Sequence, residues 1–240
     1  AKDKAGNSKE ASVNIEIVNN DKEAPAVSFK KPSSDGQFVT GQFKIEVDAS
    51  DNIGVKEVKF YAGSTLIGSD TQGPFEMNWD TKTAQDGEVT LKAIAYDQVG
   101  NTKEITIKVK VDNTAPTGSI KINNDAAYTT SPNVTLTLTA SDAVSGVSKV
   151  RYSIDGVTWT NWENFTSTKS VTLSAFEGER EVRYQVQDQI GLVSTFSDTI
   201  IFDATSPTGA ITINQNANYT NTRNITVNLA VTDNASGLDQ

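Results

Sequence analysis

Phe43, Ile45, Val47 and Ala49 alternate with Lys44, Glu46 and Asp48. A period of two puts one face of an extended segment in a core and the other in water. The same alternation predicts strands around Val58 and Phe60, Leu66 and Ile67, Phe75, Met77 and Trp79, Leu91, Ala93 and Ala95, and from Ile105 through Ile107 and Val109 to Val111. Turn residues separate them, among them Asp51 to Gly54 and Asp86-Gly87, and no stretch sustains a helical period. Short strands at this spacing, bounded by Gly, Asp and Pro, indicate an all-β sandwich of seven strands over residues 21–111.

The pattern then repeats. Val134, Leu136, Leu138 and Ala140 stand 91 residues after Phe43, Ile45, Val47 and Ala49, and Val182, Tyr184 and Val186 stand 91 after Leu91, Ala93 and Ala95. Joints keep the same spacing: D-K-E-A-P at Asp21 to Pro25, D-N-T-A-P at Asp112 to Pro116 and D-A-T-S-P at Asp203 to Pro207. Proline fixes its own φ and biases the preceding residue toward extended backbone, so each joint reads as a short, stiff connection between β-domains. This predicts two complete units, 21–111 and 112–202. Residues 1–20 read as the end of an earlier unit, since A-K-D-K-A-G-N at Ala1 to Asn7 matches A-Y-D-Q-V-G-N at Ala95 to Asn101 and a strand follows over Ser12 to Val18. Residues 203–240 read as the start of a later one, with 13 of the 27 residues from Pro207 to Asp233 identical to Pro116 to Asp142. The chain is expected to be a fragment of a longer array, each unit touching only its neighbours.

Composition narrows the chemistry. There is no cysteine, so neither a disulfide framework nor thiol chemistry is available, and no histidine, which removes the commonest general base and most zinc sites. A net charge of -9, spread along the chain, disfavours nucleic acid and anionic membrane as partners. No apolar run approaches the roughly 20 residues of a membrane helix. The acidic residues recur with the repeat and sit at turns, where Asp bonds its own backbone, so no catalytic residue is expected.

The segments V-K-E-V-K-F-Y-A-G (Val55 to Gly63), P-F-E-M-N-W (Pro74 to Trp79) and D-G-E-V-T-L-K-A-I-A-Y-D-Q-V-G-N (Asp86 to Asn101), followed by S-G-V-S-K-V-R-Y-S-I-D-G-V-T-W (Ser145 to Trp159), occur in this order along the chain. Together they resemble the bacterial immunoglobulin-like domains found in tandem in secreted and surface proteins. The cysteine pair and intervening Trp of antibody domains are absent, so that branch is not implied. The resemblance implies tandem immunoglobulin-like β-sandwiches acting as a non-catalytic spacer or stalk that positions an adhesive or enzymatic domain, secreted or at the cell surface. Its partners would be neighbouring repeats. The alternative is an adhesin or carbohydrate-binding module that contacts a glycan or a cell-surface protein directly.

Three features carry candidate chemistry. S-I-D-G-V-T-W at Ser153 to Trp159 nearly matches the Asp-box of sialidases, but there one residue separates Asp from Gly, so the segment reads as a two-residue hairpin. Trp159 and Trp162 are either core residues, the preferred reading, or an aromatic platform for a sugar. In an immunoglobulin-like sandwich the entry segment and two loops share one end, which would bring Asp112, Asp142 and Asp188 together, and Asp21, Asp51 and Asp97 one unit earlier. Three carboxylates suit calcium at a domain junction; the competing reading is that each Asp caps its own turn and faces water. No other cofactor is expected.

Overall fold

The computed structural model describes residues 1–12 and 21–238. The strand expected over Ser12 to Val18 lies almost wholly outside the described residues. Two compact units emerge, one made of Ala1–Gln37, Gln42–Ala84 and Glu88–Val109, the other of Phe38–Gly41, Gln85–Gly87 and Lys110–Gln240.

Strands of the first half are β1 (Ala26–Lys31), β2 (Gln37–Val39), β3 (Gln42–Ser50), β4 (Val55–Ala62), β5 (Thr65–Asp70), β6 (Phe75–Asp80), β7 (Gly87–Asp97) and β8 (Thr102–Val111). Within the first unit β1, β3 and β6 form one antiparallel sheet and β8, β7, β4 and β5 follow one another in the second. Alternation decides what faces inward: Phe43, Ile45 and Val47 from β3, Phe75 and Trp79 from β6, Val58 and Phe60 from β4, and Leu91, Ala93 and Ala95 from β7 are all buried. Lys44, between two buried positions, instead pairs with Glu46 and Glu76 at the surface.

The second half contains β9 (Thr117–Ile122), β10 (Tyr128–Thr129), β11 (Asn133–Ser141), β12 (Val147–Ser153), β13 (Thr168–Thr172), β14 (Gly178–Asp188), β15 (Val193–Phe202), β16 (Thr208–Ile213) and β17 (Val227–Thr232). Sheets β13-β11-β9 and β10-β15-β14-β12 enclose one core. Ile120, Ile122, Leu136 and Leu138 come from the first, and Val150, Tyr152, Val182, Tyr184, Val186 and Ile200 from the second. At Gly118 a Cβ would lie 2.6 Å from the Thr139 carbonyl oxygen and 3.0 Å from the Phe196 ring, so only glycine lets β9 and β11 approach there. Beyond β9 the chain turns through Asn123, Asn124 and Asp125, all at positive φ, and Asn214, Gln215 and Asn216 repeat this left-handed turn 91 residues later. Asn and Asp tolerate that region better than other side chains.

Besides the short β2, which makes eight strands up to Val111 where seven are expected, two elements differ from expectation. Asp155-Gly156 does not close a two-residue hairpin. The Asp155 carboxylate accepts the N–H groups of Val157 and Thr158 and the Ser153 hydroxyl, which holds the chain in a wider loop. The strand partner of β12 therefore returns only near Thr160 and Glu163. Trp159 and Trp162 are half-buried rather than core residues, and the Arg151 guanidinium lies over both rings at 5.0 and 4.4 Å. Tyr152 and Tyr184, stacked with centroids 5.6 Å apart, fill the second core instead.

The Tyr184 hydroxyl is buried and has no hydrogen-bond partner among the described residues. A buried, unpaired polar group carries its desolvation cost uncompensated. Tyr184→Phe, which keeps the ring stack, is therefore expected to raise stability by about 1 kcal/mol, read from the urea midpoint. A lower midpoint would show that the hydroxyl has a partner.

β16 and β17 pair as an antiparallel hairpin. On one face lie Ile211, Ile213, Val227, Leu229 and Val231, all exposed. Ile211, Ile213, Val227 and Leu229 stand 91 residues after Ile120, Ile122, Leu136 and Leu138, which are buried. The hairpin thus reproduces half of a sandwich core in register.

Candidate metal centre

Strand ends position the second acidic cluster. Asp112 follows β8 on the way into β9, Asp142 follows β11, and Asp188 is the last residue of β14. Each carboxylate first organises its own turn. Asp142 Oδ1 accepts the N–H groups of Val144 (3.1 Å) and Gly146 (2.7 Å), and Asp188 Oδ1 those of Ile190 (3.0 Å), Gly191 (2.7 Å) and Leu192 (2.8 Å). Asp112 accepts from Thr114 N–H and, across the cluster, from Ser145 N–H at 3.0 Å.

Turn capping uses only part of what these groups offer. One ligand oxygen from each of Asp112, Asp142 and Asp188 lies within 4.8 Å of the others, and the same holds for Asp21, Asp51 and Asp97. All six sequence-predicted residues are thus brought together in the two expected triples. The expected alternative, that each Asp faces water, does not describe Asp97, Asp112 or Asp188, which are at most 2% exposed. With Asp188 Oδ1 taken by three N–H groups, its Oδ2 remains buried and without a partner. No ion pair among the described residues neutralises Asp112, Asp142 or Asp188. Two full negative charges at such a distance repel by roughly 3 kcal/mol at an effective dielectric of about 20. Burial pushes the Asp188 carboxyl above its ordinary pKa against the pull of the Leu192, Gly191 and Ile190 N–H groups, and the charge on Asp112 adds to the rise.

Asp97 is the counterpart of Asp188 and behaves in the opposite way. Burial pushes it up, but the side-chain amide of Asn101 and the N–H groups of Gly100, Val99 and Asn101 outweigh that and hold its pKa below the ordinary value. Asn101 Nδ2 donates to Asp97 Oδ2 at 2.7 Å and to the Asp21 carbonyl oxygen at 3.3 Å, while Asn52 Nδ2 donates to Asp21 Oδ1 at 3.2 Å. Sequence reading missed these two asparagines as members of the site. The signal was present, because D-x-x-x-N at Asp97 to Asn101 recurs at Asp3 to Asn7 and becomes D-Q-I-G-L at Asp188 to Leu192.

Oxygen-only donors, carboxylate and carbonyl, suit a hard cation of the calcium class and not zinc or copper. Backbone N–H groups already engage Asp112 and Oδ1 of Asp142 and of Asp188. The same is true beside the groove of about 1020 Å³ lined by Thr129, Asp203 and Asp233. There Asp203 accepts from Thr205 and Ser236 N–H, and Asp233 from Ala235 and Gly237 N–H.

Comparison with known protein families decides the relationship. Residues 25–93 match the family described as bacterial Ig domain, and residues 73–156 match bacterial Ig-like domain (group 3). Residues 25–156 match bacterial Ig-like domains. Together the two matches agree with the resemblance read from the sequence. Among solved structures, fibronectin(III)-like modules of Clostridium thermocellum CbhA are 26% identical, with 74% of this chain and 93% of that chain covered and a TM-score of 0.42. A 1.5-MDa bacterial ice-binding adhesin is 15% identical, with 81% and 70% covered and a TM-score of 0.47. No curated protein sequence matches. Among the described residues no helix is long and apolar enough to cross a membrane.

Proposed function

We propose that this chain is a non-catalytic spacer in a secreted or surface protein, its Ig-like units setting the distance of another domain from its base. One observation carries this reading: both the core positions and the Asp triples repeat at a fixed interval of 91 residues. Selection for a repeated frame explains that repetition, whereas a catalytic centre has no reason to recur with the frame. Calcium binding by the acidic triples is the second part of the proposal, and it serves the same role, since a cation held by three separated segments ties them together.

The adhesin or glycan-binding alternative rests on Trp159 and Trp162. Arg151 already occupies ring surface of both, and cation–π stacking accounts for two half-buried indoles without a ligand. On a glycan array the intact chain is expected to give no signal. A signal that disappears in the Trp159→Ala, Trp162→Ala variant would replace the spacer reading with the adhesin one.

A further inference from the structure

The two acidic triples superpose in sequence, yet the side chains beside them differ. At 91 residues' spacing Asn101 corresponds to Leu192 and Asn52 to Ala143. In the first unit the Asn101 amide spans Asp97 Oδ2 and the Asp21 carbonyl oxygen, and the Asn52 amide reaches Asp21 Oδ1. These N–H groups put partial positive charge beside two of the three carboxylates. In the second unit Leu192 and Ala143 have no side-chain donor. Asp188 Oδ2 there is buried with no partner, although the residue is only 2% exposed. A bound cation stabilises a buried carboxylate oxygen left in this state.

We infer that the triples are not equivalent: Asp112, Asp142 and Asp188 bind a calcium-class divalent cation, whereas the triple Asp21, Asp51 and Asp97, in which the amides of Asn101 and Asn52 engage Asp97 and Asp21, binds none. This rests on the calcium reading above and sharpens it to one unit. The exchange is chemically economical. An amide N–H shares the sign of a cation toward carboxylate oxygen but demands no dehydration of an ion, so a single side chain decides whether a triple depends on metal. Asp3 belongs with the amide-engaged kind, its Oδ2 accepting from Asn7 Nδ2 at 2.9 Å. Asp203 and Asp233 reproduce two members of the second triple, and Ser236 N–H donates to Asp203 Oδ2 as Ser145 N–H donates to Asp112 Oδ2.

The test is calorimetric titration of calcium chloride into the full chain after chelator treatment, up to about 10 mM, above the weak end of extracellular calcium sites. The wild-type chain is expected to take up one ion. Leu192→Asn, which installs the missing amide, should weaken binding at least tenfold, while Leu192→Ala, which removes the same leucine without adding a donor, should keep it. Asn101→Leu, Asn52→Ala should gain a second ion. Two ions on the wild-type chain, one of them lost with Asp97→Asn, or a single ion that survives Leu192→Asn but is lost with Asp97→Asn, would overturn the inequivalence while leaving calcium binding intact. No ion on any variant would overturn both. Circular dichroism of each variant establishes that the sheets are retained.

Discussion

Replacing Leu138 with Ala is expected to destabilise the second sandwich by about 2–5 kcal/mol. Leu138 is 2% exposed at the middle of β11, with β9 and β13 on either side of that strand and the β12-β14-β15 sheet across the core. Strands paired on both edges cannot slide inward to fill the space, so most of the cavity would persist. The predicted loss is comparable to the whole stability of a small domain, about 5–15 kcal/mol, and should lower the melting temperature by about 8 °C or more. Thr135, three positions earlier on the same strand, is exposed, and its change to Ala should fall within about 0.5 kcal/mol. An unchanged melting temperature for Leu138→Ala would mean that β11 does not present this face to the core.

Why that strand was legible in advance, and the loop after β12 was not, has a physical cause. Strand faces are dictated by a period of two, and Val134, Leu136 and Leu138 announce it without reference to anything distant. The Asp155 loop depends on a competition between a tight turn and side-chain capping. There Asp155 and Ser153 win because their oxygens engage one another and two nearby N–H groups. Trp159 and Trp162 were misplaced for a related reason. Indole burial follows from hydrophobicity alone, but a guanidinium lying over the rings, brought from Arg151 in β12, satisfies them at the surface. The acidic triples were legible because fold topology fixes which loops share an end. Their inequivalence lay in Asn101 and Leu192, residues that look like ordinary turn positions until the oxygen beside them is identified.

The second large effect concerns calcium. A ligand that binds only the folded state stabilises it by mass action, by about 2.7 kcal/mol at a hundred times its dissociation constant. For the second unit the gain should be real because the unbound state holds Asp188 Oδ2 buried and unpaired beside two further carboxylates. Salt alone should not reproduce it, since buried groups are screened far less than exposed ones. Neutralising two of the three ligands removes both the repulsion and the site. Asp112→Asn, Asp142→Asn should therefore melt at a temperature indifferent to calcium.

Thermal unfolding of the chain, with chelator and with calcium in the millimolar range, beside the Asp112→Asn, Asp142→Asn variant at matched ionic strength, tests the account most directly. The expected result is a rise in melting temperature of the wild-type chain with calcium and none in the variant. A wild-type chain that melts at the same temperature in both, or a variant that rises equally, would leave Asp112, Asp142 and Asp188 as turn caps alone.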